Sequence, residues 1–219
     1  MQARSAIIFD CDGVLFDSSR ANVAYYNAVL LEMGRGPLDP VWELRAQFLA
    51  APQLLARLFE GDSAGLARAG AIQRDLDYGP FYGLMEPVPG LYDVLAELGR
   101  THRLGMATNR GRSVGEVVRR FGLDTYLEAA VGIHDVARPK PHGDVIEACL
   151  LRLEVAPVAA VYVGDAESDL AAAHAAGVHF IAIGEHAWSP RWVRVLAELP
   201  RAIAALPLVL PPVLPPVLG

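Results

Sequence analysis

The stretch AIIFDCDGVLFDS, residues 6–18, runs four apolar residues straight into three aspartates, Asp10, Asp12 and Asp17. An apolar tetrapeptide of this kind reads as a strand buried on both faces, and its end is an unusual place to crowd negative charge. Two carboxylates about 4 Å apart repel by about 4 kcal/mol at an effective dielectric of about 20, so the crowding calls for a compensating cation or for chemistry on an anion.

The remaining chain supplies a scaffold for such a strand end. Further apolar runs predict strands at Ala6 to Phe9, Arg103 to Ala107, Ala129 to Ile133, Ala159 to Val163 and His179 to Ile183, with a short one at Val193 to Val195. Between them, i, i+3, i+4 apolar spacing predicts helices over 90–100, 112–122, 142–153 and 168–177, the second and last ending on Gly122 and Gly177. Strands this apolar, alternating with helices, predict an α/β fold with a doubly wound parallel sheet. The rhythm breaks between Ser18 and Met85, where residues 22–34, 40–50, 52–61 and 63–76 read as helices with no β-branched run between them. The expected organisation is a core of residues 1–17 and 86–219 with an inserted helical cap at 18–85, hinged near 16–19 and 83–88.

Composition narrows the partners. With 219 residues and 53% hydrophobic side chains, the chain can bury a full core and one smaller unit. Nineteen Lys plus Arg against 25 Asp plus Glu give a net charge of −6 and a pI near 5.5, which argues against nucleic acid as a partner. Cys11 and Cys149 sit far apart in apolar segments and read as buried thiols of a reducing compartment, hence a cytoplasmic protein. No apolar run reaches the roughly 18 residues of a membrane span, so no membrane partner is expected. The anticipated assembly is a monomer or homodimer.

In open parallel sheets, ligands bind beyond the carboxyl ends of the strands. Asp10 and Asp12 follow the first strand, Thr108 and Asn109 the second, Lys140 lies in the loop after the third, and Asp165 and Asp169 follow the fourth. These residues are expected to converge.

The set DCDGVLFDS, ATN, RPKPHGD and GDAESD, in this order from Ile7 to Ile183, resembles the haloacid dehalogenase-like hydrolases, more narrowly the phosphoglycolate phosphatase and β-phosphoglucomutase branch with a helical cap. The resemblance implies a Rossmann-like core and a magnesium-dependent phosphatase acting on a small phosphoester through a phosphoaspartate. On this pattern Asp10 is the nucleophile, and Asp12 is general acid and then general base. Thr108, Asn109 and Lys140 bind the phosphoryl group. Asp10, the Asp12 carbonyl and Asp165 hold Mg²⁺, with Asp169 reaching the metal through water or orienting Lys140. Retention of Asp12 favours an alcohol leaving group over carbon–halogen or carbon–phosphorus cleavage. One departure is Gly143, where the family often has proline, a change expected to loosen the turn after Lys140. A phosphomutase, returning the phosphoryl group to a second hydroxyl, and a catalytically silent binding module on the same fold are the alternatives.

Other polar and aromatic residues have plainer readings. Asp17 and Ser18 are favoured helix N-caps. His134, His142 and His174 read as loop or surface residues, and Tyr25, Tyr26 and Trp42 as core of the cap. Arg20, Asn22, Arg45 and Arg57 are the polar cap residues available to select the organic part of a substrate. The segment 206–219, LPLVLPPVLPPVLG, excludes helix and central strand and suits polyproline II.

Overall fold

The computed structural model describes residues 5–48 and 51–206. The proline-rich segment, Leu206 apart, lies outside the described residues. The chain divides into two compact units, Met1–Leu15 with Pro87–Gly219, and Phe16–Glu86.

The first unit begins with strand β1 (Ala6–Phe9). The chain then passes through β2 (Phe16–Asp17) into four helices of the second unit, α1 (Ser19–Glu32), α2 (Pro40–Phe48), α3 (Ala51–Leu58) and α4 (Ser63–Asp75), and returns through β3 (Glu86–Pro87). Alternation follows: α5 (Leu91–Leu98), β4 (Arg103–Ala107), α6 (Val114–Arg120), β5 (Ala129–Val131), α7 (Asp144–Leu153), β6 (Ala160–Gly164), α8 (Glu167–Ala176), β7 (His179–Ile183), β8 (Trp192–Val193) and α9 (Leu199–Ala204). Among the described residues the sheet of the first unit has the order β5-β4-β1-β6-β7-β8, with every pairing parallel, and β2 pairs with β3 separately. The fold is the expected α/β architecture with a helical cap.

All four residues of β1 are fully buried, as a central parallel strand covered on both faces must be. Ala6 and Ile8 face a core shared with Tyr162 of β6, with Val145, Ile146, Cys149, Leu150 and Leu153 of α7, and with the alanines of α8. Ile7 and Phe9, offset by one in a two-residue period, point to the opposite face. Both cysteines are free and buried. In the helical unit, Tyr25 and Tyr26 lie in a core with Val29, Leu54, Leu55 and Phe59, against which Trp42 packs. The Tyr25 hydroxyl donates to the Gln73 carbonyl at 2.8 Å. Asp17, not Ser18, caps α1: its carboxylate accepts from the Ser19 N–H at 3.0 Å, whereas the Ser18 hydroxyl makes no capping bond. No helix among the described residues is long and apolar enough to cross a membrane.

Registration decides what the strand ends can reach. Phe9 stands level with Met106 of β4 and Val163 of β6, so Asp10 emerges at the same height as the ends of both neighbours. The Asp10 N–H still donates to the Val163 carbonyl at 2.8 Å, which fixes the backbone one residue beyond the strand.

Gly143 has a packing reason that the sequence pattern hides. It precedes α7 where that helix approaches the last turn of α8, and a Cβ there would lie 2.9 Å from the Ala176 nitrogen and 3.2 Å from the Ala175 carbonyl carbon. The absent side chain allows a close approach of two helix ends, so the expected loosening gives way to tighter packing. Gly143→Ala should therefore overpack a backbone–backbone contact, lowering the thermal midpoint by roughly 3–10 °C in a melting experiment.

Candidate active site

Three strand ends and one loop meet as expected. Asp10, Thr108 and Lys140 are buried, Asp165 is partly buried and Asp169 is fully buried. Lys140 is the hub: its Nζ lies 2.6 Å from Asp169 Oδ1 and 2.9 Å from Asp10 Oδ1, and it donates to the Tyr162 hydroxyl at 3.0 Å. Burial works against the Lys140 ammonium, but the charges of Asp10 and Asp169 outweigh it and hold the group well above the ordinary lysine range.

Asp169 is placed by the start of α8. Its Oδ2 accepts from the N–H groups of Asp165 and Ala166, at 3.0 and 3.1 Å, so the carboxylate both closes the first turn of the helix and presents Oδ1 to Lys140. Asp165 is brought close by Gly13. At φ +77° this residue turns the chain after β1, and a Cβ on it would fall 1.9 Å from Asp165 Oδ2. Only glycine suits both the left-handed conformation and the contact.

Asp10, Asp165 and Asp169 each place a carboxylate oxygen within 4.8 Å of the others. Three carboxylates crowd one ammonium, and the proton affinities record it. Burial pushes Asp10 up to about 6, Asp169 and Asp12 adding to the rise and Lys140 opposing it. Burial, then the Asp10 and Asp169 charges, push Asp165 up to about 8. Asp10 Oδ1 is buried and, among the described residues, accepts no hydrogen bond, its approach to Lys140 being an ion pair without hydrogen-bond alignment. An under-satisfied buried oxygen beside two further hard oxygen donors fits a divalent cation.

The phosphate ligands expected from sequence are only partly disposed as anticipated. Thr108 is buried at the end of β4, but its own N–H donates to Val131, and its hydroxyl accepts from the Arg110 N–H at 3.3 Å. The Asn109 side chain is a brace: its Oδ1 accepts from the Lys140 N–H at 2.9 Å and its Nδ2 donates to the Lys140 carbonyl at 3.2 Å. It locks the loop that carries the lysine to the end of β4.

Two residues escaped the sequence reading. Tyr162 accepts from Lys140 and donates to the Ala107 carbonyl at 2.7 Å. Arg110 grips Asp12, its Nε 2.9 Å from Oδ2 and its Nη2 2.6 Å from Oδ1. A hydroxyl in an otherwise apolar strand, and a cation directly after Thr108 and Asn109, were the signals available. By contrast His134, His142 and His174 are exposed. Burial raises the Cys11 thiol well above its usual range, which leaves it unreactive. In the helical unit Arg20 pairs with Glu86, Arg45 stacks over Trp42, and Asn22 accepts from the Tyr78 hydroxyl, while Arg57 is exposed.

Comparison with known proteins agrees with this geometry. The family model of the haloacid dehalogenase-like hydrolases matches residues 7–183. The plasmid-encoded phosphoglycolate phosphatase of Cupriavidus necator is 32% identical over 184 residues, covering 80% of this chain and 78% of the relative. The phosphoglycolate phosphatase of Xylella fastidiosa is 31% identical over 182 residues, covering 78% and 76%. Among solved structures, a HAD-superfamily hydrolase of subfamily IA, variant 1, from Geobacter sulfurreducens superposes with a TM-score of 0.74 at 32% identity, covering 91% of this chain and 96% of that one. The chain belongs to the haloacid dehalogenase-like hydrolases. Within them it is a phosphatase, a hydrolase of phosphoric monoesters.

Gly13→Ala tests the link between backbone turn and site. The methyl group displaces the Asp165 carboxylate, and a shift of about 1 Å at such a site costs roughly a hundredfold in rate. Hydrolysis of p-nitrophenyl phosphate should fall by that order while far-ultraviolet circular dichroism stays unchanged.

Proposed function

We propose that the protein is a magnesium-dependent phosphatase of a small phosphorylated metabolite, phosphoglycolate or a sugar phosphate, working through a phosphoaspartate on Asp10. The observation that carries this reading is the position of Asp10: a buried carboxylate at a strand end, 2.9 Å from a lysine held in place by a second carboxylate, with one oxygen that accepts no hydrogen bond. The two phosphoglycolate phosphatases at 32% and 31% identity support the substrate class.

In this mechanism Asp12 enters the step as the carboxylic acid: a carboxylate oxygen of Asp10 attacks phosphorus as the ester bond breaks, and the departing alcohol oxygen takes the Asp12 proton, leaving the carboxylate. A water then gives a proton to Asp12 and attacks the phosphoaspartate, freeing phosphate and restoring Asp10. Lys140 offsets the charge of Asp10 and of the phosphoryl oxygens, and the Thr108 hydroxyl is at hand as a donor to them. Asp169 keeps Lys140 in register, and Asn109 fixes its backbone. The carboxylates of Asp10 and Asp165, with the Asp12 carbonyl, would hold Mg²⁺, and Asp169 borders that site. When bound, the ion supplies charge neutralisation and orientation for the phosphoryl group. Every residue named lies in the unit of Met1–Leu15 with Pro87–Gly219, so the chemistry is proposed to reside there and selection of the organic group in residues 16–86.

A panel of phosphorylated metabolites assayed for free phosphate with Mg²⁺ tests the reading, with phosphoglycolate expected among the best substrates. Isomerised sugar phosphate without phosphate release would indicate a mutase instead. Asp10→Asn should lower turnover by about a thousandfold or more, because an amide cannot attack phosphorus; near-normal phosphate release by the folded variant would remove Asp10 from its role. Excess chelator should abolish activity and Mg²⁺ restore it, while Ca²⁺, with longer and looser coordination, should restore little of it. Full activity in chelator would overturn the metal assignment.

A further inference from the structure

We propose that Arg110 is the positioning residue for Asp12, holding its carboxylate for the leaving-group oxygen. The inference rests on the phosphatase reading above. The guanidinium meets both carboxylate oxygens at once, Nε to Oδ2 at 2.9 Å and Nη2 to Oδ1 at 2.6 Å, a fork that fixes direction as well as distance. Arg110 itself cannot swing. Its side chain is only 6% exposed, and Nη1 reaches the Ser113 hydroxyl at 3.4 Å. Its N–H donates to Thr108 Oγ1, and its carbonyl accepts from the Ile133 N–H at 3.0 Å. The anchor therefore joins the ends of β4 and β5, and β4 is the immediate neighbour of β1, whose following loop carries Asp12.

The effect is visible in where the carboxylates stand. Among the described residues, Asp10, Asp165 and Asp169 cluster, whereas the Asp12 carboxylate, two residues from Asp10, stands outside that cluster on Arg110. Its side chain is 31% exposed, against 10% for Asp10, so it alone of the pair remains open to an arriving group. Without the guanidinium, Asp12 loses both of the contacts that set its direction. A carboxylate turned from that direction is lost to the leaving group. Arg110 supplies a separate cation for a separate task.

The test compares leaving groups. For a double displacement, kcat/KM covers the steps up to loss of the alcohol, so it reports proton delivery for an alkyl ester and hardly at all for p-nitrophenyl phosphate, whose phenolate leaves without a proton. Arg110→Ala should lower kcat/KM for phosphoglycolate about a hundredfold and for p-nitrophenyl phosphate less than about fivefold. Arg110→Lys, which offers no fork, should recover only part of the loss. Asp12→Asn should reproduce the pattern, and adding Arg110→Ala to it should cost phosphoglycolate nothing further, the signature of two residues acting as one. Equal losses on both esters, or an undiminished effect in the Asp12→Asn background, would overturn the inference. A crystal structure of Arg110→Lys or Arg110→Ala should show the Asp12 carboxylate displaced, and an unmoved Asp12 would refute it whatever the kinetics. A wild-type protein that splits no ester would overturn the phosphatase reading and this one together, whereas failure of the Arg110 assignment alone shows only in the variants.

Discussion

A full positive charge sits in the interior of this protein at Lys140, and the site is built around making that tolerable. Removing an ammonium from water costs several kcal/mol even after relaxation, and close anions offset it. Asp169 and Asp10 do so at 2.6 and 2.9 Å, and the Tyr162 hydroxyl accepts a further bond. Each partner is fixed independently of the lysine: Asp169 by two N–H groups at the start of α8, Asp10 by the ladder bond to Val163, Tyr162 by its bond to Ala107. Asn109 then ties the lysine backbone to β4 from both sides. Truncating any one of these groups leaves a buried charge or dipole short of a partner.

The same buried charges are tied to the packing beneath them. Lys140 reaches the sheet from a loop followed by Gly143 and α7, whose apolar face fills the core under β1 and β6. The close approach at Gly143 draws the start of α7 to the end of α8, the helix whose first turn carries Asp169. Packing between two helices thus bears on the distance between a lysine and a carboxylate, which is how a residue touching no reacting atom comes to matter for chemistry.

Sequence periodicity located β1, β4 and β7 to the residue because each is a mostly apolar run with a clear stop after it, Asp10, Thr108 and Gly184 respectively. The other strands shifted where a side chain or turn took over a backbone N–H. β5 stops at Val131, short of Ile133, since Asp135 captures the Gly132 N–H. β6 starts at Ala160 because Ala159 closes a 3₁₀ turn from Pro157. β8 is Trp192–Val193 rather than Val193–Val195, with the Arg194 N–H taken by Glu198. In the site, the carboxylates and the lysine were legible because unlike charges at strand ends are conspicuous. Arg110 and Tyr162 were not, since a basic residue in a loop and a tyrosine in a strand each have a commoner meaning, and their partners lie 98 and 22 residues away. Asn109 was legible as a site residue but not as a brace, because nothing local says whether an amide faces a ligand or a backbone.

Two cations with different duties explain the arrangement better than a general store of positive charge would. Both are buried, yet Lys140 lies between the carboxylates of Asp10 and Asp169, whereas Arg110 forks onto that of Asp12. Lysine is a point charge on a flexible stem and suits a position where the anion to be balanced changes as reaction proceeds. Arginine is a rigid fork and suits a carboxylate whose direction must not change. Exchanging the two would give Asp10 an inflexible partner and Asp12 a loose one. The choice of residue at each place follows from what its neighbour is required to do.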